Sequence, residues 1–302
     1  MDLPHGCRVA VIRLRSLGDC VLTTPALDIL RRARPDVRIA VVVEDRFRAV
    51  FEGNPDIDAL LPLGWRQLRA WRPQLCVNLH GGSASARLTA LSGAKRRAAF
   101  AHYRWQALYN VRIPRAQQIL GEERVVHTAE HLASAMFYLG MPRVEIPRAK
   151  LFADAASLLN QLAGPYAVIH PIASQPDKTW NAEGFLTAAR FLRASLDLEP
   201  VFIAGAGEDL SLFREYRTVI GAPLAEIKSL LRGASLFLGN DSGPAHMAAA
   251  FGLPVAAIFG ASDPAIWGPW RTPSAVIRSA AGIGSVTSQQ VLDALERMRV
   301  HA

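Results

Sequence analysis

The chain is poor in cysteine, with three in 302 residues. Cys7, Cys20 and Cys76 sit in or beside apolar runs, and their spacing fits no zinc motif. They read as small buried residues of a reducing compartment, which excludes a disulfide-stapled scaffold. No apolar run reaches the roughly 18 residues of a membrane span. The start, Met1-Asp-Leu-Pro-His-Gly-Cys7, lacks the basic region and apolar stretch of a signal peptide. The expected location is therefore the cytoplasm. Short-period repeats, low-complexity tracts and heptads are also absent, which sets aside solenoids, disordered tails and coiled coils.

Lysine is scarce beside arginine, and acidic residues are unevenly spread. Residues 1–150 hold 23 Lys and Arg against 13 Asp and Glu, while residues 151–302 hold 11 against 13. A basic half joined to a near-neutral half suits a polyanionic partner: nucleic acid, anionic lipid or a phosphorylated glycolipid. An arginine-rich composition imposed by a GC-rich genome produces the same bias.

Hydrophobic residues make up 50% and charged residues 20% of the chain, which is normal for a globular protein of two ordinary domains. Val9–Leu14, Val37–Val43, Ala59–Pro62, Gln74–Leu79 and Arg96–Phe100 read as short strands. Cys20–Arg34, Asp45–Glu52, a segment from Gly81-Gly82 to Leu91, and His127–Leu139 read as helices. Residues 101–126 read as irregular and rich in arginine and aromatics. The pattern then restarts. Tyr166–His170, Pro200–Ala204, Ser235–Leu238, Val255–Phe259 and Ala275–Arg278 read as strands. Ala182–Ala194, Glu208–Val219, Leu224–Arg232, Pro244–Phe251 and Ser288–Val300 read as helices. Two successive βα series imply two Rossmann-like α/β domains, with a boundary near residue 150.

Leu238-Gly-Asn-Asp-Ser-Gly-Pro-Ala-His246 reads as a strand end, a polar loop and a helix start. Asp241 and Ser242 can cap the helix, and Pro244 fits its first turn. Gly243 admits a ligand close to the backbone, and the free N–H groups attract phosphate. His246 follows one turn in. An ordinary capped helix is the alternative. Arg13-Leu-Arg-Ser-Leu-Gly-Asp19 follows the first strand. Asp19 there can act as a general base, or simply cap its helix. Ser174 and Lys178 lie in His170–Trp180, a polar loop at another strand end. Ala204-Gly-Ala-Gly-Glu208 ends a strand in a glycine turn, but Leu210 stands where a dinucleotide fingerprint needs its third glycine. His127-Thr-Ala-Glu-His131 fits the short H-x-x-E-H zinc pattern, but no third ligand follows. The bland reading is a packed helix. Asn78-Leu-His80-Gly-Gly is a further glycine loop, a tight turn or a sugar contact.

Several of these elements together resemble glycosyltransferase family 9, the lipopolysaccharide heptosyltransferase family. The resemblance rests on Asp241-Ser-Gly-Pro-Ala-His246, Ala248-Ala-Ala-Phe-Gly-Leu-Pro-Val255, Phe259-Gly-Ala-Ser-Asp-Pro264 and Ser16-Leu-Gly-Asp19. It implies a GT-B fold, two Rossmann-like domains facing a central cleft. Residues 1–150 would bind the acceptor and residues 151–302 the donor. It also implies inverting transfer from a nucleotide-diphosphate sugar, ADP-heptose foremost, with Asp19 as base. Ser174, Lys178, Asp241, Ser242, Gly243 and His246 would hold the diphosphate and sugar, and Glu208 the ribose hydroxyls. Arg15, Ser16, His80, Arg104 and Arg112 are the candidate acceptor contacts. The implied acceptor is an anionic lipopolysaccharide core, reached by peripheral contact with the inner membrane. No cofactor, metal or nucleic acid is expected. The sequence departs from the family at Asn78, where an aspartate is common, at Ala173, where a hydroxyl residue is common, and in the short segment 279–285. A nucleotide-sugar epimerase or hydrolase of the same shape, or a silent binding protein, is the competing reading.

Overall fold

A computed structural model of the chain describes residues 3–153 and 164–299. The chain divides into two compact units, Met1–Phe152 and Ala153–Ala302. The first holds strands β1 (Arg8–Ile12), β2 (Arg38–Val42), β3 (Ala59–Leu61), β4 (Leu75–Asn78), β5 (Arg96–Phe100) and β6 (Val111–Ile113). They form one sheet in the order β3-β2-β1-β4-β5-β6, with every pairing parallel. Its helices are α1 (Leu17–Ala33), α2 (Trp65–Trp71), α3 (Ser83–Leu91), α4 (Ala116–Leu120) and α5 (Thr128–Tyr138). Parallel sheets are covered on both faces, so their central strands read as unbroken apolar runs. Val9–Ile12 and Ile39–Val42 are wholly buried. Alternate residues Ala10 and Ile12 meet Leu68 of α2 and Leu88 of α3 in one cluster.

The second unit holds β7 (Tyr166–His170), β8 (Glu199–Ala204), β9 (Arg217–Ile220), β10 (Leu236–Asn240), β11 (Val255–Phe259) and β12 (Ser274–Arg278). Their order is β12-β11-β10-β7-β8-β9, again all parallel. The helices are α6 (Ala182–Ser195), α7 (Leu224–Gly233), α8 (Gly243–Phe251), α9 (Pro264–Trp267) and α10 (Ser288–Arg299). Counted within each unit, both sheets run 3-2-1-4-5-6, the Rossmann order. It reverses between the first and fourth strands, and ligands enter at the carboxyl ends there. The loops after β1 and β4, and after β7 and β10, occupy those positions.

Three sequence expectations are corrected. Residues 208–219 are not a helix: a 3-10 turn at Ser211–Phe213 leads into β9. Residues 101–126 are not irregular throughout, since they contain β6 and α4. Helix α2 was not anticipated. β6 and β9 are edge strands, paired on one side only, and Ile220 is 49% exposed. Such strands need no apolar run, so the periodic signal fails. In α2 only Leu68 is buried, which leaves no apolar stripe to read.

The fourth strand of each unit ends in a fully buried asparagine, Asn78 or Asn240. Asn240 Oδ1 accepts the Trp180 backbone N–H at 3.0 Å, and its Nδ2 donates to the Pro171 carbonyl at 2.8 Å. Trp180 itself is buried, with its indole N–H on the Val286 carbonyl at 2.8 Å. Replacing Asn240 with alanine leaves a donor and an acceptor buried without partners. The expected loss is roughly 2–5 kcal/mol of unfolding free energy by urea titration. Asn240→Asp should recover only the acceptor half. An unchanged midpoint for Asn240→Ala would show that these bonds do not hold the loop.

Candidate functional site

In the first unit the site begins at Arg13, which extends β1 by donating its N–H to the Val42 carbonyl. Its side chain is nearly buried, and Nη1 lies 3.4 Å from Asp19 Oδ1. Asp19 is the third residue of α1, at the helix end whose dipole favours negative charge. It does not cap the helix: Ser16 occupies that position and no side chain makes the cap bond. Instead Ser16 Oγ donates to Asp19 Oδ2 at 3.0 Å. The carboxylate is thus held from two sides and remains 23% exposed.

The loop after β4 meets this one. His80 Nδ1 lies 3.1 Å from the Arg15 carbonyl. Asn78 Oδ1 accepts the N–H groups of His80 and Gly81 at 2.9 and 3.1 Å. Its Nδ2 donates to Ser85 Oγ at 3.1 Å and to Tyr109 Oη at 2.9 Å. An ionised aspartate accepts only, so these two donations explain the amide at Asn78. Gly81 has φ +83°, and a Cβ there would press on the Tyr103 ring at 3.0 Å. Burial first, and then the Arg13 charge, push His80 below the ordinary imidazole range.

Three further residues surround Asp19 that the sequence reading did not assign to the site. Tyr103 donates to the Leu79 carbonyl at 3.2 Å, and burial pushes its phenol up to about 12. His131 stacks on Phe100, with centroids 4.0 Å apart, and lies 5.3 Å from His102. Burial, then His102, push His131 down to about 4. The charges of Arg13 and Asp19 act on both Tyr103 and His131. Arg13 stands in the same motif as Asp19, which was a usable signal. His131 was hidden in a zinc-like pattern that the structure splits. His127 is the N-cap of α5 and accepts from Ala129 N–H at 3.1 Å, while Glu130 accepts the His127 N–H at 3.0 Å. That is a capping box, and only His131 points to the site cluster. Arg104 and Arg112 are exposed, Arg104 after β5 and Arg112 within β6.

In the second unit Lys178 ends a 3-10 turn, Pro176–Lys178, with Nζ 3.5 Å from Asp241 Oδ2. Ser242 takes the N-cap position of α8 by backbone only, which corrects the capping expectation. Its Oγ lies 3.0 Å from His170 Nδ1, and burial pushes that imidazole down to about 4. Gly243 opens α8, and His246 is buried one turn in. Ser174 is exposed in the loop that leads to Lys178. Glu208 Oε2 accepts the Gly205 N–H at 2.6 Å, and its charge reaches His170. No α-helix follows the glycine turn, so it is not a dinucleotide fingerprint. A Cβ on Gly260 would collide with the Asp177 carbonyl. A cavity of about 680 Å³ opens there, lined by Asp177, Ser262, Asp263, Arg278 and Ser279.

The one Asp-x-Asp triplet, Asp56-Ile-Asp58, is structural. Asp58 Oδ2 accepts from Arg31 at 2.5 Å and from the Ile39 N–H at 2.7 Å. Among the described residues no group of three or more His, Cys, Asp or Glu is placed to hold a metal ion.

Two units of Rossmann order, each with polar loops at its point of strand reversal, define the GT-B class. The model of "Glycosyltransferase family 9 (heptosyltransferase)" matches residues 64–293. Lipopolysaccharide heptosyltransferase 3 of Escherichia coli is 27% identical over 296 residues, covering 85% of this chain and 84% of that one. A family 9 glycosyltransferase structure from Veillonella parvula superposes with a TM-score of 0.84 at 21% identity, covering 98% of both chains. The E. coli heptosyltransferase WaaC with ADP-2-deoxy-2-fluoro heptose gives 0.76 at 21% identity, over 96% of this chain and 99% of that one. The chain belongs to glycosyltransferase family 9, and it is a glycosyltransferase.

His131 and His170 are both held neutral by burial. The unfolded chain takes up their protons first as pH falls below about 6.5, and the folded protein only near 4. Stability from these groups is therefore full above about pH 6.5 and is lost between there and pH 4, about 2 kcal/mol per histidine by pH 5 and about 3 by pH 4. Urea unfolding at pH 7 and pH 5 reads this directly. His131→Phe keeps the stack on Phe100 and should shrink the drop; an identical drop would remove His131 from the account.

Proposed function

We propose that this enzyme transfers a heptosyl unit from ADP-heptose to a lipopolysaccharide core acceptor by single displacement with inversion. The observation that carries the reading is Asp19, a carboxylate at the carboxyl end of β1, oriented by Arg13 and Ser16 yet open to solvent. The acceptor hydroxyl gives its proton to Asp19 while its oxygen bonds to the anomeric carbon. The bond from that carbon to the diphosphate breaks, and ADP leaves with the electron pair. Such a base must lie within hydrogen-bond reach of the proton it removes, and both its fixed orientation and its exposure serve that.

The second unit is the donor-binding half in this reading. Lys178, positioned by Asp241, and the N–H groups at the start of α8 meet the charge growing on the leaving diphosphate. Ser174, Ser242 and His246 complete that shell, and Glu208 accepts the ribose hydroxyls. The first unit binds the acceptor through Arg15, Ser16, His80, Arg104 and Arg112. The names of the E. coli relatives, one a lipopolysaccharide heptosyltransferase and one bound to an ADP-heptose analogue, support the choice of donor and acceptor. Work on a lipid-linked acceptor places the enzyme at the inner face of the cytoplasmic membrane.

Asp19→Asn should keep the fold and the donor affinity and lower turnover by about 10² or more. Near-normal turnover in that variant would take the role of base from Asp19. Lys178→Ala should weaken ADP-heptose binding by roughly 1.5–3 kcal/mol in titration calorimetry. Unchanged affinity there, or complete loss of wild-type activity in EDTA, would overturn the diphosphate site.

A further inference from the structure

Between Asp58 and Glu122 the chain runs 63 residues without one acidic side chain and carries ten Lys and Arg. A GC-rich genome raises arginine but does not remove aspartate and glutamate, so composition alone does not account for this stretch. Helices α2 and α3, which lie within it, pack on the same face of their sheet through Leu68 and Leu88. The outer side of α2 carries Trp65, Arg66, Arg69 and Arg72, and that of α3 carries Arg87 and Leu91, all exposed. Leu63, just ahead of α2, is 51% exposed, Trp65 45% and Leu91 47%. Arg66 lies 5.5 Å from the centre of the Trp65 ring.

Where α2 and α3 end, a cavity of about 550 Å³ is lined by Arg69, Arg72, Lys95 and Arg96 and, among the described residues, by no acidic one. Among the described residues, Arg66, Arg69, Arg72, Arg87 and Lys95 take part in no ion pair. Arg69, Arg72 and Lys95 around one cavity repel each other unless an anion joins them.

We propose that this α2–α3 face docks on an anionic phospholipid bilayer. The charge of this stretch is of one sign, since residues 59–121 contain no Asp or Glu. Guanidinium groups pair with headgroup phosphates across the whole face. The exposed leucines and the tryptophan distinguish a bilayer from nucleic acid. Leu63 and Leu91 gain by leaving water for hydrocarbon, which a nucleic-acid backbone does not offer, and tryptophan favours the headgroup level. Leu63 and Trp65 follow β3 at the carboxyl end of the parallel sheet, the end that holds Asp19. The face thus extends from the reactive end of the unit to its opposite end. The proposal builds on the lipid-linked acceptor proposed above, but it concerns residues outside the donor and base sites.

The test is co-sedimentation of the full chain with phosphatidylcholine vesicles with and without phosphatidylglycerol. Binding should require phosphatidylglycerol and weaken with sodium chloride. It should fall at least about 10-fold in Arg69→Glu/Arg72→Glu/Lys95→Glu and several-fold in Leu63→Ser/Trp65→Ser, given near 1 kcal/mol per basic residue at an anionic surface. ADP-heptose affinity by calorimetry and the urea midpoint should not change, since all five side chains are exposed. Sodium phosphate should compete no better than sodium chloride of equal ionic strength. Equal binding to neutral vesicles, no binding to either, or binding unaffected by the charge reversals would overturn the proposal. So would specific competition by phosphate or a preference for duplex DNA. A failed donor titration with vesicle binding intact would instead overturn the reading of the reaction.

Discussion

Both halves of this protein hang their reactive loops on a buried amide at the same place in the sheet. Asn78 ends β4 and Asn240 ends β10, the fourth strand of each unit, beside the first strand, where the order reverses. A parallel sheet leaves its strand ends without ladder partners, so the chain leaving them needs other hydrogen bonds. One asparagine offers both donors and acceptors from a single rigid plane. Asn78 ties its own glycine loop to α3 and to Tyr109. Asn240 reaches across to the loop after β7 and fixes both its entry at Pro171 and its exit at Trp180. Between those two points lies the turn that ends in Lys178. The loop that carries the cation is thus fixed at both ends, and Asp241 aims the side chain itself.

The two units treat charge differently for chemical reasons. In the first, a nearly buried guanidinium faces a half-open carboxylate, so the pair is close to neutral and the carboxylate stays reachable. In the second, the better buried partner is Asp241 and the more open one is Lys178. Each pair therefore presents its less buried member, an anion in one unit and a cation in the other. Burying one partner of an ion pair costs desolvation that only good geometry offsets. Its use here is to aim the other partner.

Much of this was legible in the chain. Strands such as Tyr166–His170 and Val255–Phe259 read correctly because central parallel strands are apolar on both faces. The glycine, proline and hydroxyl residues of Asp241–His246 marked a strand-to-helix loop without further help. What escaped depends on contacts between segments distant in sequence. β9 was mistaken for part of a helix because an edge strand carries no burial signal of its own. Ser242 looked like a cap, since nothing local announces that His170 is its partner. His131 and Tyr103 join Asp19 only because β4, β5 and α5 bring them there, and no spacing rule links residues so far apart.

Gly260 is set where the backbone of β11 leaves the sheet and meets the carbonyl of Asp177, the residue before Lys178. Any side chain at that point forces two stretches of main chain apart. Main chain cannot swing aside as a long side chain can, so the displacement passes directly to the neighbouring residue. Every missense change of a glycine codon adds at least a Cβ. The position is therefore closed to gradual change. Its nearest alleles are all displaced ones, and a lineage that loses this glycine regains the geometry only by reversion or by rebuilding the turn.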